Sequence, residues 1–125
     1  MTDVDRLGAE KYILLTTFRR DGRAVATPLW AVRDGGGLAC WTVTDSGKVK
    51  RIRNGGRVTV APCDFRGKPL GDAVEGQARI GDEADTARVR GLLGRKYGVV
   101  GRLSIWGSTL RRGRTGTVAV LIDVA

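Results

Sequence analysis

Three glycine-rich breaks, Asp21-Gly22, Asp34-Gly35-Gly36-Gly37 and Asn54-Gly55-Gly56, divide the first half of the chain into short runs rich in β-branched and aromatic residues. Glycine reaches backbone conformations closed to other residues, and Asp and Asn favour tight turns, so each break ends the element before it. A chain punctuated this often cannot build long helices there. It builds a meander of short antiparallel strands.

Residues 12–19 form a first strand, Asp21-Gly22 supplies the φ > 0 pair of a tight hairpin, and residues 24–32 return as the second strand. A third strand spans residues 38–44 and a fourth 57–63. Residues 65–72, with Gly67, Pro69 and Gly71, read as a loop before a fifth strand at 73–80. From Asp82 the spacing turns helical: Ala84, Ala87, Val89, Leu92 and Leu93 make one apolar stripe, and Gly98 is its terminator. Residues 99–114 show no legible period. Residues 116–124 are almost continuously apolar, which describes a last strand buried on both faces or at an interface. The expectation is one mainly β domain over residues 1–125, a six-stranded antiparallel split β-barrel with short flanking helices.

Charge narrows the partners. The 125 residues hold 22 Lys and Arg against 13 Asp and Glu, a net charge of +9. No acidic residue lies between Asp85 and Asp123, and none between Ser46 and Cys63, where Lys48, Lys50, Arg51, Arg53 and Arg57 fall. Such blocks attract nucleic acid, anionic lipid or a multiply charged cofactor. Nucleic acid is disfavoured, because single-strand binders interleave aromatics with their cations and residues 48–57 and 111–114 contain none. The Arg111-Arg114 cluster reads equally well as solvated surface. With no histidine, and with Cys40 and Cys63 in apolar runs without ligand spacing, no metal is expected and the cysteines read as reduced core residues. The acidic start and the lack of a run long enough to span a bilayer make the cytoplasm the expected location.

The chemistry concentrates in residues 41–54, where a β-rich run hands over through a small polar turn to a basic helix start. Val49 and Ile52 form its inward face and Asn54-Gly55-Gly56 its stop. Ser46 caps exposed backbone N–H groups, while Lys48 and, about one turn on, Arg51 converge on the same mouth. By default a charge run is solvated helix surface; the cap and the two-cation spacing favour a phosphate. No side chain is an obvious nucleophile, so a bound phosphorylated cofactor would carry the reactivity.

These runs resemble the split β-barrel family of pyridoxamine-phosphate-oxidase-like and flavin-reductase-like proteins, in particular its deazaflavin (coenzyme F420) dependent branch. Four segments carry the likeness: Lys11-Tyr12-Ile13-Leu14-Leu15-Thr16-Thr17-Phe18-Arg19, Ala26-Thr27-Pro28-Leu29-Trp30, the run from Asp45 to Asn54, and Val74-Glu75-Gly76-Gln77-Ala78. The resemblance implies a homodimer with two cofactor sites at the subunit interface. It also implies a phosphate held by Ser46 and Lys48 with Arg51 as a second cation, a tricyclic ring along Thr27, Pro28, Leu29 and Trp30, and Thr42 near the ribityl chain. Independently, Pro28 lacks an N–H and cannot sit in a fully paired central strand. Taken alone, Trp30 reads as core filling, and Trp41, on the strand face opposite Thr42, is assigned to the core.

Departures limit the transfer. Pyridoxamine-phosphate oxidases are longer and grip substrate with a C-terminal Arg/His pair that this chain lacks, so vitamin B6 oxidation is disfavoured. Gly55-Gly56 stands where relatives often have Asn-Pro, which is expected to loosen the helix exit. The deazaflavin carries a phosphate, a lactyl carboxylate and an oligoglutamate, and the acid-free blocks offer charge to match; FMN is the competing cofactor. The resemblance therefore implies an oxidoreductase passing hydride from reduced deazaflavin to a small conjugated or carbonyl acceptor. The alternatives are an FMN-dependent oxidoreductase of the same fold and a non-catalytic flavin or deazaflavin carrier. No catalytic side chain is assigned; a proton would come from solvent, Tyr97 or another hydroxyl. Trp106 and its neighbouring arginines would rim either a substrate pocket or the partner subunit.

Overall fold

The computed structural model describes residues 2–113 and 116–124, without the side chain of Arg112. That side chain and Arg114, both in the expected basic cluster, lie outside the described residues. Along the chain run α1 (Asp3–Gly8), β1 (Tyr12–Phe18), β2 (Ala24–Leu29), β3 (Ala31–Asp34), β4 (Gly37–Val43), α2 (Gly47–Asn54), β5 (Arg57–Cys63), β6 (Val74–Ile80), α3 (Glu83–Arg112) and β7 (Thr117–Val124).

Seven strands form one antiparallel sheet in the order β2-β1-β5-β6-β7-β4-β3. The single second strand expected over residues 24–32 is in fact two. At Trp30 the chain stops pairing with β1 and begins pairing with β4, which lies at the other side of the sheet. Two strands separated by one residue can occupy opposite edges only if the sheet curls until those edges meet. Among the described residues no ladder joins β2 to β3, so the curl closes without sealing, and the result is a split barrel. Pro28 accordingly lies on an edge strand, where its missing N–H breaks no inner ladder.

Period-2 alternation fills the barrel. Ile13 and Leu15 of β1, Val58 and Val60 of β5, and Val120 and Ile122 of β7 all belong to one interior cluster. The other face of β7 carries Ala119 and Leu121, which pack with Val89 and Leu93 of α3. Of the two readings of the last strand, burial on both faces within one chain is therefore correct. Helix α2 supplies Val49 and Ile52, both buried, each contributing about 1.5–3 kcal/mol by leaving water. It packs on β1 and β6 and covers the end of the barrel where β1 finishes.

The first hairpin differs from expectation. Asp21 has no positive φ; only Gly22, at 90°, does. The Gly22 N–H donates to the Arg19 carbonyl and the Arg19 N–H to that of Arg23, so the hairpin is a three-residue loop rather than a two-residue turn. The acidic start is a helix, α1: Thr2 and Asp5 make a reciprocal capping box and Leu7 enters the core. At the exit of α2 the Gly55 N–H donates to the Arg51 carbonyl at 3.1 Å. A side chain at Gly56 would place its Cβ 2.5 Å from the Ala78 carbonyl, so glycine lets the chain press against β6.

Gly98 does break the late helix, at φ 64° and ψ −142°, a conformation essentially reserved for glycine. Helical structure nonetheless resumes beyond it. There Val99, Leu103, Trp106 and Leu110 recur at spacings of four, three and four on the outer surface, Trp106 being 65% exposed. In the sequence that spacing is obscured by Gly98, Gly101, Gly107 and Gly113, each of which reads as a break.

Candidate anion and cofactor site

Strand β4 ends at Val43, and the Ser46 N–H donates back to the Val43 carbonyl, turning the chain into α2. The Ser46 hydroxyl accepts from the Val49 N–H at 3.4 Å, so the expected N-cap is in place. Arg51 reaches back towards the same helix start. Its Nε donates to Thr17 Oγ1 at 2.6 Å, and its guanidinium arches over the first turn, within 2.7 Å of where a Cβ on Gly47 would stand. Lys48 is half-buried beside it. Burial first, and the Arg51 charge second, hold the Lys48 ammonium below its ordinary pKa. Neither cation has a carboxylate within ion-pair distance among the described residues. Two adjacent cations at a capped helix start, one half-buried, are the groups a phosphate would satisfy.

Sequence reasoning missed Thr17. It shares the inward face of β1 with Ile13 and Leu15, is buried, and orients Arg51. The available signal was a hydroxyl continuing an apolar alternation at the strand end nearest a basic helix.

The other expected site residues spread along the split. Thr42 is buried on the same face of β4 as the core residues Leu38 and Cys40. Thr27 lies opposite Leu15 and Leu29 opposite Ile13, so both face the barrel side of edge strand β2. Pro28 lies opposite Leu14 on the outer face, where both approach the loop at Gly67. Ser46, Lys48 and Arg51 are thus brought together, Thr27 and Leu29 line a shared edge, and Pro28 turns the other way.

Trp30 belongs to a different arrangement. Its indole stacks on Tyr97 of α3, with centroids 4.3 Å apart and planes 7° from parallel. The Tyr97 hydroxyl accepts from the Ala31 N–H at 3.2 Å and donates to the Lys11 carbonyl at 2.7 Å. Lys96 Nζ donates to the Glu10 carbonyl at 2.6 Å and also to the Ala31 carbonyl. Burial pushes the Tyr97 phenol up to about 12. A hydroxyl held between the Ala31 N–H and the Lys11 carbonyl clasps α3 to the chain at both ends of this junction. Trp41 packs on the α3 side as expected, with its indole N–H buried and without an acceptor among the described residues.

Two depressions flank these residues. One, of about 370 Å³, lies between α2 and the strand ends beside it and includes Arg51. The other, of about 200 Å³, lies against the first turn of α3 beside Thr86, Arg90 and Thr117, and holds none of the expected site residues. Among the described residues no helix is long and apolar enough to cross a membrane.

No curated protein sequence is significantly similar to this one. Solved structures show the fold. A conserved hypothetical protein from Mycobacterium tuberculosis aligns over 99% of this chain and 81% of its own, with TM-score 0.74 and 20% identity. The heme storage protein of Vibrio cholerae aligns over 98% and 88%, with TM-score 0.68 and 11% identity. A protein named as an F420 reductase aligns over 100% and 95%, with TM-score 0.64 and 18% identity. The sequence profile of the pyridoxamine 5'-phosphate oxidase family matches residues 4–120, nearly the length of the barrel and its helices. By that match and that fold, the chain is a member of the pyridoxamine 5'-phosphate oxidase family.

Proposed function

We propose that this protein is an oxidoreductase that binds the deazaflavin coenzyme F420 and delivers hydride to a small conjugated or carbonyl acceptor. One observation carries the reading: Lys48 and Arg51 converge on a capped helix start without a carboxylate partner among the described residues. Ser46, Lys48 and Arg51 would hold the phosphate. Thr42 would lie beside the ribityl chain, and Thr27, Pro28, Leu29 and Trp30 would border the ring, Pro28 through its backbone edge and Trp30 through the indole edge not stacked on Tyr97. When bound, the deazaflavin supplies the hydride; the chain's task is to bind, orient and keep water away. The free, buried Cys40 and Cys63 agree with a reducing, cytoplasmic setting.

The F420 reductase among the structural neighbours supports the cofactor, and the heme storage protein supports a second reading, a carrier that binds without turnover. A homodimer is part of the proposal, on new grounds. The closing strand is covered within its own chain, whereas the exposed Val99, Leu103, Trp106 and Leu110 stripe is the surface a second copy would cover. Light scattering at micromolar concentration should give twice the chain mass; a monomer would refute the dimer. The cofactor is tested by titrating the protein with the deazaflavin and with FMN at matched ionic strength, following tryptophan fluorescence. Tighter binding of the deazaflavin is expected. Equal or tighter binding of FMN would overturn the assignment.

A further inference from the structure

The depression against the first turns of α3 is a trough with opposite charges at its two ends. Glu83, Thr86, Ala87 and Arg90 line it at positions i, i+3, i+4 and i+7 of one helix face, and Thr44 and Thr117 close it from the strand side. Glu83 and Arg90 are therefore two turns apart, about 10 Å along the helix axis, with Ala87 between them. At one end the Arg90 Nη2 donates to Thr117 Oγ1 at 3.0 Å, which fixes the guanidinium against the buried start of β7. A guanidinium carries five N–H donors, so one held by a threonine still meets a carboxylate. At the other end the neighbouring carboxylates are committed: Asp82 accepts from the Asp85 N–H at 2.8 Å, and Asp85 accepts from Arg88 at 2.9 Å. Glu83 has no cation within ion-pair distance among the described residues. Between the ends the lining is mostly apolar. The Thr86 hydroxyl is spent within the fold, donating to the Asp82 carbonyl at 2.9 Å and accepting from the Ala119 N–H at 3.1 Å.

We propose that this trough is a second binding site, for a small organic zwitterion whose ammonium and carboxylate are separated by several methylene groups. The carboxylate meets Arg90, the ammonium meets Glu83, and the apolar chain lies along Ala87. A volume of about 200 Å³ suits a short chain rather than a drug-sized molecule, whose pockets begin at about 300 Å³. An α-amino acid, with its two charges on adjacent atoms, meets one end only. Ser46, Lys48 and Arg51 do not line the trough, so the site is independent of the deazaflavin reading.

The probe is 6-aminohexanoate, titrated into the intact isotope-labelled protein and followed through the amide resonances of Thr86, Ala87 and Thr117. Saturable shifts at these amides are expected. Hexanoate and hexylamine, each lacking one charge, and glycine, lacking the chain, should bind at least about fivefold more weakly, the factor of one partly exposed ion pair. Glu83→Gln, at an exposed position, and Arg90→Gln should each lose about fivefold, while Arg95→Gln, exposed outside the trough, should lose less than about twofold. Arg90→Gln also removes the bond to Thr117, so Ala87→Leu supplies an independent variant. It places a larger helix-forming side chain at an exposed position, and should keep the fold and abolish binding. The proposal is overturned by the absence of saturable shifts in wild type, by hexanoate or hexylamine binding as tightly as 6-aminohexanoate, or by unchanged binding in Glu83→Gln or Ala87→Leu.

Discussion

The two ends of β1 are held in opposite ways. At its start, Trp30, Tyr97 and Lys96 join three parts of the chain, and their polar atoms find backbone partners while the rings stack. About 20 Å away, at its finish, Thr17 holds Arg51 against a helix start, Lys48 is desolvated beside it, and neither cation has an anionic partner among the described residues. Polar groups paired within the chain add stability; cations without a carboxylate partner add little of their own and are free to pair with an anion. The contrast separates the end that closes the barrel from the end proposed to bind.

The largest test of that contrast is Tyr97→Ala. It removes the stack on Trp30 and both hydroxyl bonds, and should destabilise the fold by about 3 kcal/mol, a fall of roughly 10 °C in Tm. An unchanged Tm would mean the clasp does not hold the split. Next comes Gly98→Ala, which forces a Cβ into a glycine-only conformation directly after Tyr97 and should cost about 1–3 kcal/mol by urea unfolding.

Alkali should act on the two ends with opposite sign. Tyr97 keeps its proton in the folded state up to about 12 against an ordinary value of 10, so its stability contribution falls as pH rises from 10 to 12. The fall should be absent in Tyr97→Phe. Lys48 is displaced downward from 10.5, so on approach to that pH the unfolded chain holds the proton more firmly and stability rises. Comparing wild type with Lys48→Met isolates that rise, since Lys96, displaced in the same direction, cancels. A Lys48 difference that falls with pH would contradict its burial as a lone cation. The smallest effect is expected at Trp41→Phe. It removes volume but also a buried donor without an acceptor, and stability should move by less than about 1 kcal/mol.

The proposed binding end is more legible in the sequence than the closing end. Ser46, Lys48, Val49, Arg51 and Ile52 are neighbours in sequence, and a cap, a period and a charge spacing describe them without tertiary knowledge. The clasp assembles Glu10, Lys11, Trp30, Ala31, Lys96 and Tyr97, and no local pattern pairs residues 66 apart. For the same reason local spacing makes Trp30 a core or ring residue rather than the partner of Tyr97, and makes residues 24–32 one strand. Residue spacing cannot show that one strand run changes neighbours when a sheet curls. The cations around the depression beside α2 are half legible: Lys50, Arg51 and Arg57 fall in an acid-free run, but Arg19 and Arg20 join them only through the fold.

The central claim is that the cations at the α2 start hold an anion rather than coat a surface. It is tested by titrating the deazaflavin into wild type, Lys48→Ala and Arg53→Ala at one ionic strength. Arg53 is the better control than Lys50, because it is exposed on the same helix yet lies outside the depression that Lys50 lines. Lys48→Ala should lose about 1.5–3 kcal/mol, or ten- to a hundredfold in affinity, with thermal stability not reduced. Arg53→Ala should lose about twofold or less. Equal losses in the two variants would contradict the account and return Lys48 to the solvated surface.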